Sequence, residues 1–196
     1  MYKSTRNQLL FNNNNFLHLA GILFVLLLLS ACHFDIKTST QYLISGNEYF
    51  QAGDYANAEK DYRIALKRDP KSVIAKNNIG VVLCEEGRYD EAAGFLNQAL
   101  LADPKNATAH YTLAKALAKK GLYDQALKEA QQATQLDPDE PVAYKVLAEA
   151  ALAKDEKAVA IDAYQSAIKL DPDNEEYKAA LSKLVDQTQN QPGKNP

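Results

Sequence analysis

At 196 residues, with 46% hydrophobic and 24% charged residues, the chain has room for one domain with short appended segments, and its composition is that of a soluble globular protein. The formal net charge is −3, and residues 1–31 carry Lys3 and Arg6 but no acid. Without them two of the 22 basic residues go and none of the 25 acidic ones, so the remainder is more acidic still and lacks the basic stripe that phosphate neutralisation needs; this excludes nucleic acid as a partner. The two cysteines, Cys32 and Cys84, exclude a disulfide framework, and no Cys/His grouping has metal-ligand spacing.

The N-terminus reads as an address followed by an anchor. Lys3 and Arg6 form a basic opening, Asn12 to Asn15 follow, and Phe16 to Leu29 is apolar apart from His18, Ala20 and Gly21. That stretch has signal-peptide length and is short of the ~20 residues a membrane-spanning helix needs. It ends at Leu29-Ser30-Ala31-Cys32, which resembles the lipobox of bacterial lipoproteins: a branched apolar residue, two small residues for the peptidase, then the cysteine that is lipidated. The resemblance implies cleavage after residue 31 and a diacylglycerol plus an N-acyl chain on Cys32, with no other cofactor. Several acyl tails at ~0.8 kcal/mol per buried CH₂ give an anchor far firmer than one chain. The other readings are an ordinary signal peptide cleaved after Ala31 or an uncleaved span. His33 follows Cys32 where enteric inner-membrane lipoproteins tend to carry Asp, which implies the periplasmic side of the outer membrane. Residues 32–38 form the linker, at most ~20 Å from Cys32 to the first helix when extended.

Beyond the linker the chain repeats itself. Pro70, Pro104, Pro138 and Pro172 each follow an Asp and are spaced by 34 residues, dividing the chain into units 39–72, 73–106, 107–140 and 141–174. Ala58, Ala92, Ala126 and Ala160 align, as do Ala65, Ala99, Ala133 and Ala167, and Gly46, Gly80, Ala114 and Ala148 form a small-residue column earlier in each unit. Each unit predicts two amphipathic helices joined at Gly53-Asp54-Tyr55, Gly87-Arg88-Tyr89 or Gly121-Leu122-Tyr123, with proline forcing the chain to reverse after the second helix. The small residues let neighbouring helices approach. After the fourth unit, Asp173-Asn174 offers caps to a helix over 175–186 with Tyr177, Leu181, Leu184 and Val185 on one face, a closing helix for the array. Residues 187–196 read as a disordered tail.

Period and columns together resemble the tetratricopeptide repeat across residues 39–174. The resemblance implies an all-α, right-handed superhelix of four helix pairs with a C-terminal capping helix. Two departures stand out: Asp155-Glu156-Lys157 replaces the Gly-x-Tyr turn in unit four, and the aromatic column reads Tyr62, Leu96, Ala130 and Tyr164. It further implies that the first helices line a concave groove for proteins or extended peptide segments. Carried over position by position, its lining is Leu43, Ile44, Asn47, Phe50 and Gln51; Ile74, Asn77, Asn78, Val81 and Glu85; Tyr111, Thr112, Lys115 and Lys119; and Lys145, Val146, Glu149 and Leu152. Asn47 and Asn78 match asparagines that hold a peptide main chain or terminal carboxylate in peptide-binding members. The basic residues completing the chaperone-type carboxylate clamp are not matched, since Leu43, Thr108 and Thr112 stand in their places.

Lys115, Lys119 and Lys145 make the second half of this groove basic, either as a solvated face or as a site for an acidic segment. Cys84, near the groove, reads as small apolar packing before a reactive thiol, and His110 falls in a packing column. No metalloprotease, nucleophile-elbow or phosphate-loop motif occurs, so a cell-wall-acting enzyme is the weaker reading. The stronger is a membrane-anchored periplasmic interaction scaffold, similar either to the tetratricopeptide lipoproteins of type IV or tight-adherence pilus assembly, or to adaptors that bring periplasmic proteases to cell-wall enzymes.

Overall fold

The first helix of each pair in this chain starts where a side chain can cap it and stops where a residue can turn left-handed, and the second stops ahead of a proline. The computed structural model describes residues 37–189. The signal segment, the lipobox with Cys32, and residues 190–196 lie outside them. Among the described residues there are nine α-helices and no strand: α1 (Ser39–Gln51), α2 (Tyr55–Arg68), α3 (Val73–Glu85), α4 (Tyr89–Ala102), α5 (Ala107–Lys119), α6 (Tyr123–Leu136), α7 (Pro141–Ala153), α8 (Lys157–Leu170) and α9 (Glu175–Gln189). They form an all-α solenoid of four antiparallel pairs closed by α9.

The first helix of every pair is capped by a side chain. Thr38 and Gln41 form a reciprocal capping box on α1, while Ser72, Asn106 and Glu140 accept from backbone N–H groups in the first turns of α3, α5 and α7. Between the helices of a pair, Gly53, Gly87 and Gly121 sit at φ of 75°, 77° and 78°. In unit four, where the Gly-x-Tyr turn is missing, Asp155 takes the same left-handed place at φ 60°. The turn geometry therefore survives the substitution, at the expense of strain that glycine does not feel.

Packing within a pair explains the small-residue column. A Cβ built on Gly46 would lie 2.5 Å from the Tyr62 ring, and one on Gly80 would lie 2.5 Å from Leu96 Cγ. Glycine thus stands against the large residue of the second helix in units one and two, and the third unit has Ala114 and Ala130, both fully buried, in those places; unit four departs from the pairing, with buried Ala148 in the glycine column and Tyr164 in the aromatic one. The alanines of the two other columns are also fully buried, so the core is a continuous seam between pairs. Charged rungs cross from unit to unit on its edge: Lys120 pairs with Asp90 at 2.6 Å and Lys154 with Asp124 at 2.9 Å, while Arg88 reaches Glu59 at 2.7 Å.

The closing helix begins where Asn174 accepts from the backbone N–H groups of Glu176 and Tyr177, and buries Tyr177 and Leu184. It runs to Gln189, three residues past the end expected from the apolar face. No breaker stands there, the first proline and glycine being Pro192 and Gly193, and the Thr188 hydroxyl donates to the Val185 carbonyl. The expected disordered tail is therefore helical over 187–189, and its remainder lies outside the described residues.

Candidate partner-binding groove

The inner side of a curved array is the side on which its elements lie closer together. Here α3 touches α5 and α5 touches α7, whereas α2, α4, α6 and α8 meet one another far less, so α1, α3, α5 and α7 line the concave face. The contact is uneven along the array: α1 meets α3 much less than α5 meets α7. The facing helices α5 and α7 are rich in buried alanine, which lets them close up.

This gradient decides which of the expected lining residues reach the groove. At the open end Ile44 is 53% exposed and Ile74 61%, unusual values for isoleucine, and Asn47 and Gln51 are exposed beside half-buried Leu43, Phe50, Asn78 and Val81. Further along, Glu85, Lys119 and Glu149 are exposed, and Tyr111, Lys115, Lys145 and Leu152 half-buried. Three residues expected in the lining are buried, although Val146 among them still reaches the floor of a pocket beside Lys119. Asn77 is 8% exposed and Thr112 4%, and Val146 is also buried. Asn77 and Thr112 are covered by the helices packed around α3 and α5, and the Thr112 hydroxyl is spent on the Thr108 carbonyl of its own helix at 2.8 Å.

Where α1 and α3 stand apart, amides span the gap. The Tyr62 hydroxyl donates to Asn47 Oδ1 at 2.7 Å, and Asn78 Nδ2 donates to the same oxygen at 3.1 Å. Asn77 Nδ2 donates in turn to Asn78 Oδ1 at 3.4 Å, leaving the buried Asn77 Oδ1 with no hydrogen-bond partner. With its oxygen held by two donors, the exposed Asn47 has its Nδ2 hydrogens left over. Tyr62 was read from sequence only as a packing residue; its role in orienting Asn47 depends on a contact across the helix pair.

The basic half is not as basic as its lysines suggest. Lys115 Nζ donates to Glu85 Oε1 at 2.8 Å, across from α5 to α3. Lys145 is paired with Glu176 of α9 and lies 3.8 Å from Glu149. Burial pulls the Lys145 ammonium down, yet Glu176 and Glu149 together hold it above the usual lysine value. Two of the three lysines are thus neutralised by carboxylates, one of them on the closing helix, and the expectation of a uniformly basic half is corrected. Lys115, Lys119, Tyr123 and Glu149 surround a pocket of about 430 Å³ floored by Ala118, Val146, Ala150 and Ala153.

Cys84 is 3% exposed, and its thiol donates to the Thr112 carbonyl at 3.7 Å; burial pushes its pKa up to about 11, making it a core residue. His110 joins Glu129 Oε2 at 2.7 Å through Nδ1 and the Pro104 carbonyl at 3.1 Å through Nε2, tying α5 to α6 and to the preceding turn. Among the described residues no cluster of His, Cys, Asp and Glu could hold a metal ion, and no helix is long and apolar enough to cross a membrane.

A family model described as tetratricopeptide repeat matches residues 45–107 and 111–175, and a second of the same description matches 83–135. The chain belongs to the tetratricopeptide-repeat family. Comparison with curated proteins gives no match. Among solved structures, the thermophilic tetratricopeptide protein TTC0263 of Thermus thermophilus has a TM-score of 0.70 at 19% identity, over 77% of this chain and 83% of its own. PilF of Pseudomonas aeruginosa has a TM-score of 0.70 at 23% identity, over 77% and 69%. YrrB, described as having an unusual peptide-binding site, has a TM-score of 0.61 at 23% identity, over 74% of each chain. These identities establish a shared fold. Tetratricopeptide arrays are interaction scaffolds that bind peptides or proteins in a groove, and both matching models are repeat models rather than enzyme families.

Proposed function

We propose that this tetratricopeptide chain is a lipid-anchored periplasmic scaffold, without catalysis of its own, that holds extended segments of other proteins during assembly of an outer-membrane pilus or secretion complex. The observation that carries the groove reading is the open end of the concave face: Ile44 and Ile74 exposed beside Asn47 and Asn78, whose amides are linked and oriented by Tyr62. An amide offers both donor and acceptor, so it can hold a peptide main chain whatever its side chains, while exposed isoleucines supply apolar contact. Support for the anchor is the lipobox ending at Cys32, and support for pilus assembly is the resemblance to pilus lipoproteins together with the fold shared with PilF. The short linker would hold the groove against the membrane, which is where the partner is to be sought.

Replacing Asn47 and Asn78 by Ala is expected to weaken partner capture by at least ~1 kcal/mol, about fivefold, with helicity unchanged. Because Asn47→Ala strips the buried Tyr62 hydroxyl of its acceptor, Tyr62→Phe in the same background separates lost binding from lost stability. A photo-crosslinker at Ile74, compared with one at exposed Gln98 on α4, identifies the partner in cells. Capture of pilus or secretion subunits from Ile74 supports the assembly role, and capture of proteases or cell-wall enzymes replaces it with the adaptor role. Capture from Gln98 alone overturns the groove.

A further inference from the structure

The repeat places two charge pairs at equivalent positions and closes only one of them. Glu85 of α3 and Lys115 of α5 meet at 2.8 Å across the groove. Thirty-four residues on, the same two positions hold Lys119 of α5 and Glu149 of α7, with the signs exchanged. Geometry alone would predict a second rung there. Among the described residues, however, Lys119 has no carboxylate within ion-pair distance, while Glu149 leans toward Lys145 at 3.8 Å. Between the two unjoined residues lies the pocket of about 430 Å³, with Tyr123 at its rim.

We propose that this open rung is a subsite for an acidic side chain of the bound segment, its carboxylate on Lys119 and its methylenes against Val146, Ala150 and Tyr123. The inference rests on the groove reading and adds to it the chemistry of one ligand residue. The sign follows from the lining charges. Lys115 is balanced by Glu85, whereas Glu149 has only a 3.8 Å contact with a Lys145 already closed on Glu176, so Lys119 is, among the described residues, the one pocket cation with no ion-pair partner and Glu149 the like charge that an incoming carboxylate must tolerate. A carboxylate there gains an opposite charge beside a low-dielectric floor, whereas a lysine or arginine would meet Lys119 head-on. The volume lies in the range of small-ligand pockets and accommodates a side chain with the peptide unit that carries it. The site lies on the half of the groove away from Asn47 and Asn78, so a segment spanning both would have its main chain held at one end and its charge read at the other.

The test uses the full-length chain in detergent and a displayed library of random nine-residue peptides. Enriched peptides are resynthesised with each Glu or Asp changed to Gln or Asn, and all are titrated against wild type, Lys119→Gln and Glu149→Gln. The expected result is enrichment of one acidic residue at a fixed place, a loss of about fivefold on Lys119→Gln that disappears for the matching amide peptide, and tighter binding on Glu149→Gln, where a like charge is removed. Because Lys119 and Glu149 are exposed, an unchanged circular-dichroism melt is the folding control. Enriched peptides without an acidic residue, or affinities indifferent to Lys119→Gln, overturn the subsite and leave the groove standing. A library with nothing enriched above the display background overturns the groove reading and the subsite together.

Discussion

Gly80 and Leu96 show how one repeat position constrains another. Leu96 is fully buried and its Cγ lies 2.5 Å from where a Cβ on Gly80 would stand, so Gly80→Ala has to displace a side chain with no free space around it. Overpacking of this kind costs ~1–3 kcal/mol, partly offset by the ~1 kcal/mol that Ala gains over Gly within a helix. Urea unfolding of Gly80→Ala is expected to show a net loss of up to ~2 kcal/mol. Adding Leu96→Ala, which copies the Ala114 and Ala130 arrangement of the third unit, relieves the clash but leaves a cavity. The two columns were each legible in the sequence because they recur at a fixed period, but that their members face one another across the helix pair was not. The burial of Asn77 and Thr112, and the partners taken by Lys115 and Lys145, were not. They depend on the spacing between helices some thirty residues apart, which no local pattern carries.

A second consequence at this scale concerns alkaline pH. Burial raises Cys84 from its ordinary 9.0 to about 11, and Tyr62 and Tyr164 from 10.0 to about 12. Between those values the unfolded chain releases protons that the folded chain retains. The stabilisation is therefore whole below pH 9 and is lost as pH rises through 11 and 12. The urea midpoint is expected to fall from about pH 8 to about pH 10.5, and to fall less in Cys84→Ala.

At the scale of the element, the four inter-helix turns offer a built-in comparison. Three use glycine, at φ between 75° and 78°, and the fourth uses Asp155 at φ 60°. Its carboxylate lies 3.5 Å from Lys157, an exposed contact that returns little of the strain. Asp155→Gly removes the left-handed penalty but adds freedom to the unfolded chain, and the balance is an expected gain of ~0.5–1 kcal/mol, read as a raised urea midpoint. The existence of this turn was legible from the period even though its residues were atypical. The extent of α9 was not, because its last turn has no apolar face and continues only for want of a breaker.

For the whole molecule, the proposed lipid anchor can be tested apart from the array. Cys32→Ser is expected to move the chain from the membrane to the soluble fraction and to abolish labelling by radioactive palmitate, while the circular-dichroism spectrum of the array stays the same. A chain that remains with the membrane after this change is held by an uncleaved apolar segment or by its partner, not by lipid.

The uneven spacing of the concave helices has a mechanical meaning. In a solenoid each unit is held by its neighbours alone, so compliance is set contact by contact rather than shared across a common core. With α5 and α7 closely packed and α1 and α3 bridged by amides, the array is expected to be stiffer toward its C-terminal end than at its N-terminal end. Strain from a bound segment under load would therefore be taken up first in the leading repeat, letting the entrance widen while the far end keeps its grip.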